Sequence, residues 1–153
     1  MEEKINNGSV HRILARSYSF YFIGFLLGIT LDFIFPLHLM SISWGSYLGL
    51  LFMIIGSIFI FWAQRANRDY IKDPKLTGRT FCHGPYCYTR SPTHVGIAIL
   101  LIGFGILANA FFVVIFTLIA FLITKYTFLT REEAVLEKKY GGPYLEYKKL
   151  VKF

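Results

Sequence analysis

Acidic residues are scarce in this sequence: nine Asp and Glu stand against sixteen Lys and Arg in 153 residues, a net charge of +7. Long stretches carry no charge of either sign, which excludes an ordinary soluble domain, whose exterior must be charged throughout. The chain is 55% hydrophobic with a mean hydropathy of +0.52, against about 45 to 50% apolar residues in a typical globular protein. Cysteine is scarcer still. Cys82 and Cys87 flank His83, but four metal ligands at a recognised spacing are missing, so the expectation is two reduced thiols and no metal. There is no internal repeat and no low-complexity tract. A small-residue cleavage site is also missing after the first apolar run, which is long and contains Asp32; this excludes a secretion signal and predicts a retained span.

What is present is a set of apolar runs, each to be measured against the roughly 20 residues that cross a hydrocarbon layer about 30 Å thick. The first runs from about Ser17 to Met40 and the second from about Ser43 to Ala63, with Pro36 and His38 marking the turn between them. The apolar stretch Thr93 to Leu129 is too long for one crossing, and Asn109 within Ala108-Asn109-Ala110 is its turn former. The expectation is therefore an all-α integral membrane protein of four transmembrane helices, about 17–40, 43–63, 93–107 and 111–129, forming one domain. The third is short, and is expected to begin inside Ser91-Pro92-Thr93-His94 or to sit tilted.

Orientation follows from the cations, because basic loops near span ends resist translocation. Every Lys and Arg lies in the N-terminal arm, in the loop from Gln64 to Pro92, or from Lys125 onward, and none falls in the other two turns. Both termini and the long loop are thus expected on the cytoplasmic side. Attraction to anionic lipid head groups suffices to explain the charge, and a nucleic-acid partner is unnecessary.

The remaining residues form a polar layer, about 78–96 and 130–153. In GPYCYTRSPTHVG, residues 84–96, Pro92 suits the first turn of a helix, so the residues before it become a rigid cap that presents backbone donors at a positive helix end. Such a cap receives an anion; the plain alternative is an interfacial anchor with belt tyrosines. After the last span, Thr130 is a candidate cap for a helix that Gly141-Gly142 ends. Beyond Pro143, Tyr144, Tyr147 and Val151 recur at helical spacing, which reads as an amphipathic tail lying on the membrane surface. Glu132 and Glu133 are different, because a carboxylate pair at the mouth of a helix bundle is costly to desolvate without a cation. Arg131, Arg90 or a cationic ligand would supply it.

The loop GPYCYTRSPTHVG followed by REEAVLEKKYGGPYLEYKKLV resembles the isoprenylcysteine carboxyl methyltransferase and phospholipid methyltransferase superfamily. Its usual pattern is a Gly-x-Tyr-x-x-x-Arg-His-Pro-x-Tyr-x-Gly loop, then Glu-Glu and a tyrosine tail, and the similarity covers about residues 44 to 153. The resemblance implies a helical membrane enzyme that uses S-adenosyl-L-methionine at the cytoplasmic ends of its spans, with a lipophilic or lipid acceptor arriving through the bilayer. Carried over by position, it implies cofactor contacts at Thr80, Phe81, Tyr86, Ser91, Pro92, Thr93, His94, Glu132 and Glu133, with Glu132 and Arg90 as the catalytic candidates. Gly56 falls where the phospholipid branch has the second glycine of a Gly-x-Gly, with Ile54 at the first.

The chain departs from the family at two places. Ser91 replaces the usual His of Arg-His-Pro, while His94 stands where a Tyr is usual; Phe128 occupies the place of an acceptor-binding arginine in the prenylcysteine branch. Two other readings stay open from sequence: a reductase of sterol-reductase type using a reduced nicotinamide dinucleotide, and a non-catalytic membrane scaffold. Glu132-Glu133 would repel a dinucleotide phosphate.

Overall fold

The computed structural model describes residues 2–39, 42–70 and 82–151, with side chains described from residue 15 onward except at 42, 43, 67–70, 128 and 139. Every regular element among them is helical. Helix α1 is Glu2–Ile34, α2 is Ile42–Tyr70, a 3-10 turn covers Gly84–Cys87, and α3 is Pro92–Leu107. Helix α4, Phe111–Ile123, runs through a π-helical turn at Thr124–Phe128 into α5, Leu129–Tyr140, before the tail helix α6, Gly142–Leu150.

Three stretches are long and apolar enough to cross a membrane, Ala15–Ile34, Trp44–Ala66 and Phe111–Lys138, and Pro92–Leu107 is a shorter apolar helix. Large apolar side chains such as Phe22, Phe33, Trp44, Ile58 and Phe61 are exposed on the outside of the bundle, a surface suited to lipid. Several boundaries differ from those read in the sequence. The first helix stops at Ile34, short of Met40, because Pro36 disfavours helical geometry at Phe35. The second continues past Ala63 to Tyr70, so its polar end extends beyond the apolar run. The third, by contrast, begins at Pro92, inside the Ser91-Pro92-Thr93-His94 segment expected from the sequence, with Ser91 as its N-cap residue.

The bundle is built from two antiparallel pairs, α2 against α3 and α1 against α4. Small residues set the first pair. A Cβ at Gly49 would lie 2.5 Å from Leu107 N, and one at Gly56 would lie 2.7 Å from Leu100 N. From the other side, a Cβ at Gly103 would lie 2.7 Å from Met53 N, and one at Gly96 would meet Ile60. These four glycines bring backbones together; they leave no groove between α2 and α3.

The turn at Asn109 is as the sequence predicts, with a left-handed φ of 55° at that residue. The Leu39 N–H donates to Asn109 Oδ1 at 2.7 Å, tying the two turns at that end of the bundle together. Asp32 has a role that sequence reading did not find. Its carboxylate accepts from the N–H groups of Phe112 and Val113 at 3.0 Å each, capping α4 from another helix and meeting its positive end. Asp32→Ala is expected to cost about 1 to 2 kcal/mol, read as a lower midpoint for unfolding in detergent. Asp32→Asn keeps one acceptor and should recover part of the loss.

Candidate functional site

At the opposite end of the bundle, three segments converge: the 3-10 turn, the start of α3, and α5 with α6. Gly84 makes the turn possible, having a φ of 57° and sitting where a Cβ would be 3.2 Å from both Ala66 Cβ and Trp62 Nε1 of α2. Any L side chain there would be strained and crowded at once. Cys82 and Cys87 are joined by a disulfide, with Cα atoms 4.5 Å apart, which corrects the expectation of two reduced thiols. The reason is local: the 3-10 turn reverses the chain and brings the two residues face to face, a proximity that their spacing alone does not reveal.

The tail also departs from expectation. Tyr144, Tyr147 and Val151 are buried together and pack against Cys82, Tyr86, Leu136 and Tyr140, so α6 folds back over the loop and does not lie on the membrane surface. Tyr147 Oη donates to the Tyr86 carbonyl at 2.7 Å, fixing the turn from above. Burial raises the pKa of Tyr144 and Tyr147. Tyr86 is pushed up to about 12 by burial, against the effect of its hydrogen bond with Thr93 and with the added influence of the Glu132 charge. These phenols remain neutral hydrogen-bonding groups at any physiological pH.

Helix α5 does not begin at a cap. Thr130 Oγ1 donates back to the Tyr126 carbonyl at 3.1 Å inside a continuous helix, so the sequence expectation of an N-cap at Thr130 is corrected. The π turn before it adds a residue to the helical repeat and rotates α5 relative to α4, a device common at functional sites. The helix then ends at Tyr140, and Gly141 takes a φ of 59° in open space.

The two carboxylates are treated differently. Glu133 is buried and bridged: Arg90 Nη1 lies 2.7 Å from its Oε1 and Lys148 Nζ 3.1 Å from its Oε2. Lys148 also reaches Glu137 at 2.5 Å, and its pKa is raised by these hydrogen bonds, first that to Glu137. The sequence gives no sign of Lys148 and Glu137 as members of this layer, because α6 must fold back before the two meet. Glu132, half-buried, has no ion pair among the described residues. Its charge acts on Tyr18, Tyr86 and Tyr144.

Of the sequence candidates, Tyr86, Arg90, Ser91, Pro92, Thr93, His94, Glu132 and Glu133 all lie in this layer or on the first turn of α3 beneath it. Thr80 and Phe81 lie outside the described residues. Ser91 provides no side-chain cap to α3, so the first-turn backbone donors meet no serine hydroxyl. His94 is buried and stacked on Tyr21 of α1, ring centroids 5.9 Å apart, with Tyr18 at 5.5 Å. Tyr18 and Tyr21 were not anticipated; their contacts join helices far apart in sequence.

A profile of the phospholipid methyltransferase family matches residues 44–142, which includes all but the first two residues of α2, the 3-10 turn, the glutamate pair and the whole of α3 to α5. No curated protein and no solved structure matches the chain. With nearly two thirds of its residues matched, and the convergent layer inside the matched span apart from α1 and α6, the chain belongs to the phospholipid methyltransferase family.

Proposed function

We propose that the protein is a membrane methyltransferase that takes its methyl group from S-adenosyl-L-methionine and delivers it to a lipophilic acceptor. The observation that carries this reading is Glu132, a half-buried carboxylate with no cation against it among the described residues, beside a Glu133 that is fully paired. A desolvated carboxylate beside a second one needs a cationic ligand to hold it in its charged form. The methionyl ammonium fits that need, and the uncapped first turn of α3, behind Pro92, suits the methionyl carboxylate. Tyr86 offers an aromatic surface for the adenine.

When bound, the cofactor supplies an activated methyl that transfers in line to a nucleophilic atom. The protein's own contribution is orientation and exclusion of water. Glu132 balances positive charge, Arg90 and Lys148 hold Glu133 so that only one carboxylate is open, and α6 covers the layer through Tyr147 and Tyr86. A reduced dinucleotide is disfavoured, because an open carboxylate in this position repels its phosphates. Titration with S-adenosylmethionine and, separately, with reduced dinucleotide tests the assignment: saturable binding of the first alone is expected, and binding of the second alone would overturn it.

In this reading the chain crosses the bilayer four times, with both termini and the cofactor layer cytoplasmic and the acceptor entering sideways from the lipid. The support is the charge distribution along the sequence: every Lys and Arg falls in the N-terminal arm, between Gln64 and Pro92, or from Lys125 onward. The Cys82–Cys87 disulfide points the other way, since such bonds persist in oxidising compartments. The sixteen cations outweigh a single bond. Asn109 is bonded to Leu39, so a reporter cysteine belongs at the neighbouring exposed Ala108. Ala108→Cys should react in intact cells with an impermeant maleimide from outside, and protection there would reverse the topology.

A further inference from the structure

Beneath the cofactor layer, three polar atoms are buried without a hydrogen-bond partner: Tyr21 Oη, His94 Nδ1 and Thr124 Oγ1. The residues retain 3%, 4% and 1% of their exposure. They come from α1, α3 and the π turn, and they meet. Tyr21 stacks on His94, and its hydroxyl faces Thr124 without reaching hydrogen-bonding geometry. An unpaired buried hydroxyl or imidazole nitrogen is costly, and three such atoms lie in neighbouring side chains here.

The character of a ligand that would satisfy them follows from the surroundings of the three atoms. Among the described residues, no charged side chain pairs with Tyr21 Oη, His94 Nδ1 or Thr124 Oγ1. With no counter-charge, a phosphate, carboxylate or ammonium group would be desolvated without compensation. Two hydroxyls and an imidazole nitrogen instead match a small group that both donates and accepts. On the side of Tyr21 away from the layer lie Ala98 and Ala120, with Ile97, Leu101 and Phe121 around them, an apolar wall for a hydrocarbon chain.

We propose that Tyr21, His94 and Thr124 form the head-group site for the acceptor, and that it takes an uncharged hydroxyl at the end of an apolar chain; on transfer the O–CH3 bond would form as the sulfonium S–CH3 bond breaks to leave a neutral thioether, with the hydroxyl proton passing to His94 Nδ1. The inference rests on the methyltransferase reading for the role of the ligand, not for its binding. It gives α1, which lies outside the family match, a direct part in acceptor choice through Tyr21.

The test is equilibrium binding to the full-length protein in nanodiscs, using hexadecanol, hexadecylamine, hexadecanoate and hexadecyl phosphate, with each ligand expressed as membrane mole fraction. Hexadecanol should bind saturably and the three charged probes about tenfold or more weakly. Tyr21→Phe combined with Thr124→Val should weaken hexadecanol binding by about tenfold or more, with S-adenosylmethionine affinity unchanged. Because the deleted hydroxyls have no partner, thermal stability should be equal or higher. Charged probes binding as tightly as hexadecanol, no saturable binding of any probe, or a double variant that binds like the parent would each overturn the site. If the double variant does not fold, Tyr21→Phe alone carries the same comparison. Failure of the parent protein to bind S-adenosylmethionine would sink the methyltransferase reading and leave the hexadecanol result standing.

Discussion

Glu132→Gln is expected to weaken S-adenosylmethionine binding by more than tenfold while leaving the fold intact. Losing one partner of a largely desolvated charge contact costs about 2 to 5 kcal/mol, and Glu132 has no ion pair within the described residues to lose. Its removal also relieves repulsion from Glu133 across the pair, so thermal stability in the absence of ligand should hold or rise. Glu133→Gln should behave in the opposite way. It leaves Arg90, whose side chain is only 17% exposed, without its carboxylate, and breaking a buried pair from one side costs about 3 kcal/mol or more. The unliganded protein should therefore lose stability. Glu137 is unsuitable as a neutral control because it shares Lys148 with Glu133. Glu146 is exposed, and Glu146→Gln should change neither quantity. Equal losses of affinity at Glu132 and Glu146 would show a general effect of surface charge and remove Glu132 from the site.

The second large effect is expected at Gly56. A methyl group there would fall 2.7 Å from Leu100 N and 2.9 Å from Gly96 O, and both obstacles are backbone. A flexible side chain can swing away from such a clash, but a helix backbone moves only with the whole helix. Overpacking in cores typically costs about 1 to 3 kcal/mol, and Gly56→Ala should reach the top of that range. Gly56→Leu should prevent accumulation of folded protein. Gly142→Ala, where nothing lies within 4 Å of the added atom, is the matched control. Normal expression and an unchanged unfolding midpoint for Gly56→Leu would mean that α2 and α3 do not pack through these glycines.

The apolar runs were legible because lipid leaves few ways to satisfy a backbone. Local chemistry also read correctly at Asn109, Pro92 and Gly141, where a left-handed turn, a missing N–H and a helix stop are properties of single residues. The continuation of α4 through the π turn was hidden, because Arg131, Glu132 and Glu133 end the apolar run without ending the helix. Thr130 looked like a cap for the same reason. The tail was misread because its tyrosine spacing fits any apolar surface, lipid or protein. What chose between them was the position of Tyr86 and Cys82, fixed by a turn many residues earlier. Within the candidate site, the glutamate pair was visible in sequence, but the division of labour between its members was not. That division depends on Lys148, which reaches Glu133 only after α6 doubles back.

The pairing of α1 with α4 has a consequence for biosynthesis. Asp32 must wait for the amides of Phe112 and Val113, which lie 80 and 81 residues further along the chain. At translation rates of about 5 to 20 residues per second, the delay is roughly 4 to 16 s. Throughout that time the first helix holds a carboxylate at its far end with no peptide donors from its eventual partner. Helices α2 and α3, neighbours in sequence, can close their glycine seam meanwhile. Assembly is then a matter of the last-made span joining the first-made one, and a ribosome stalled between them would leave the nascent protein half-paired in the bilayer.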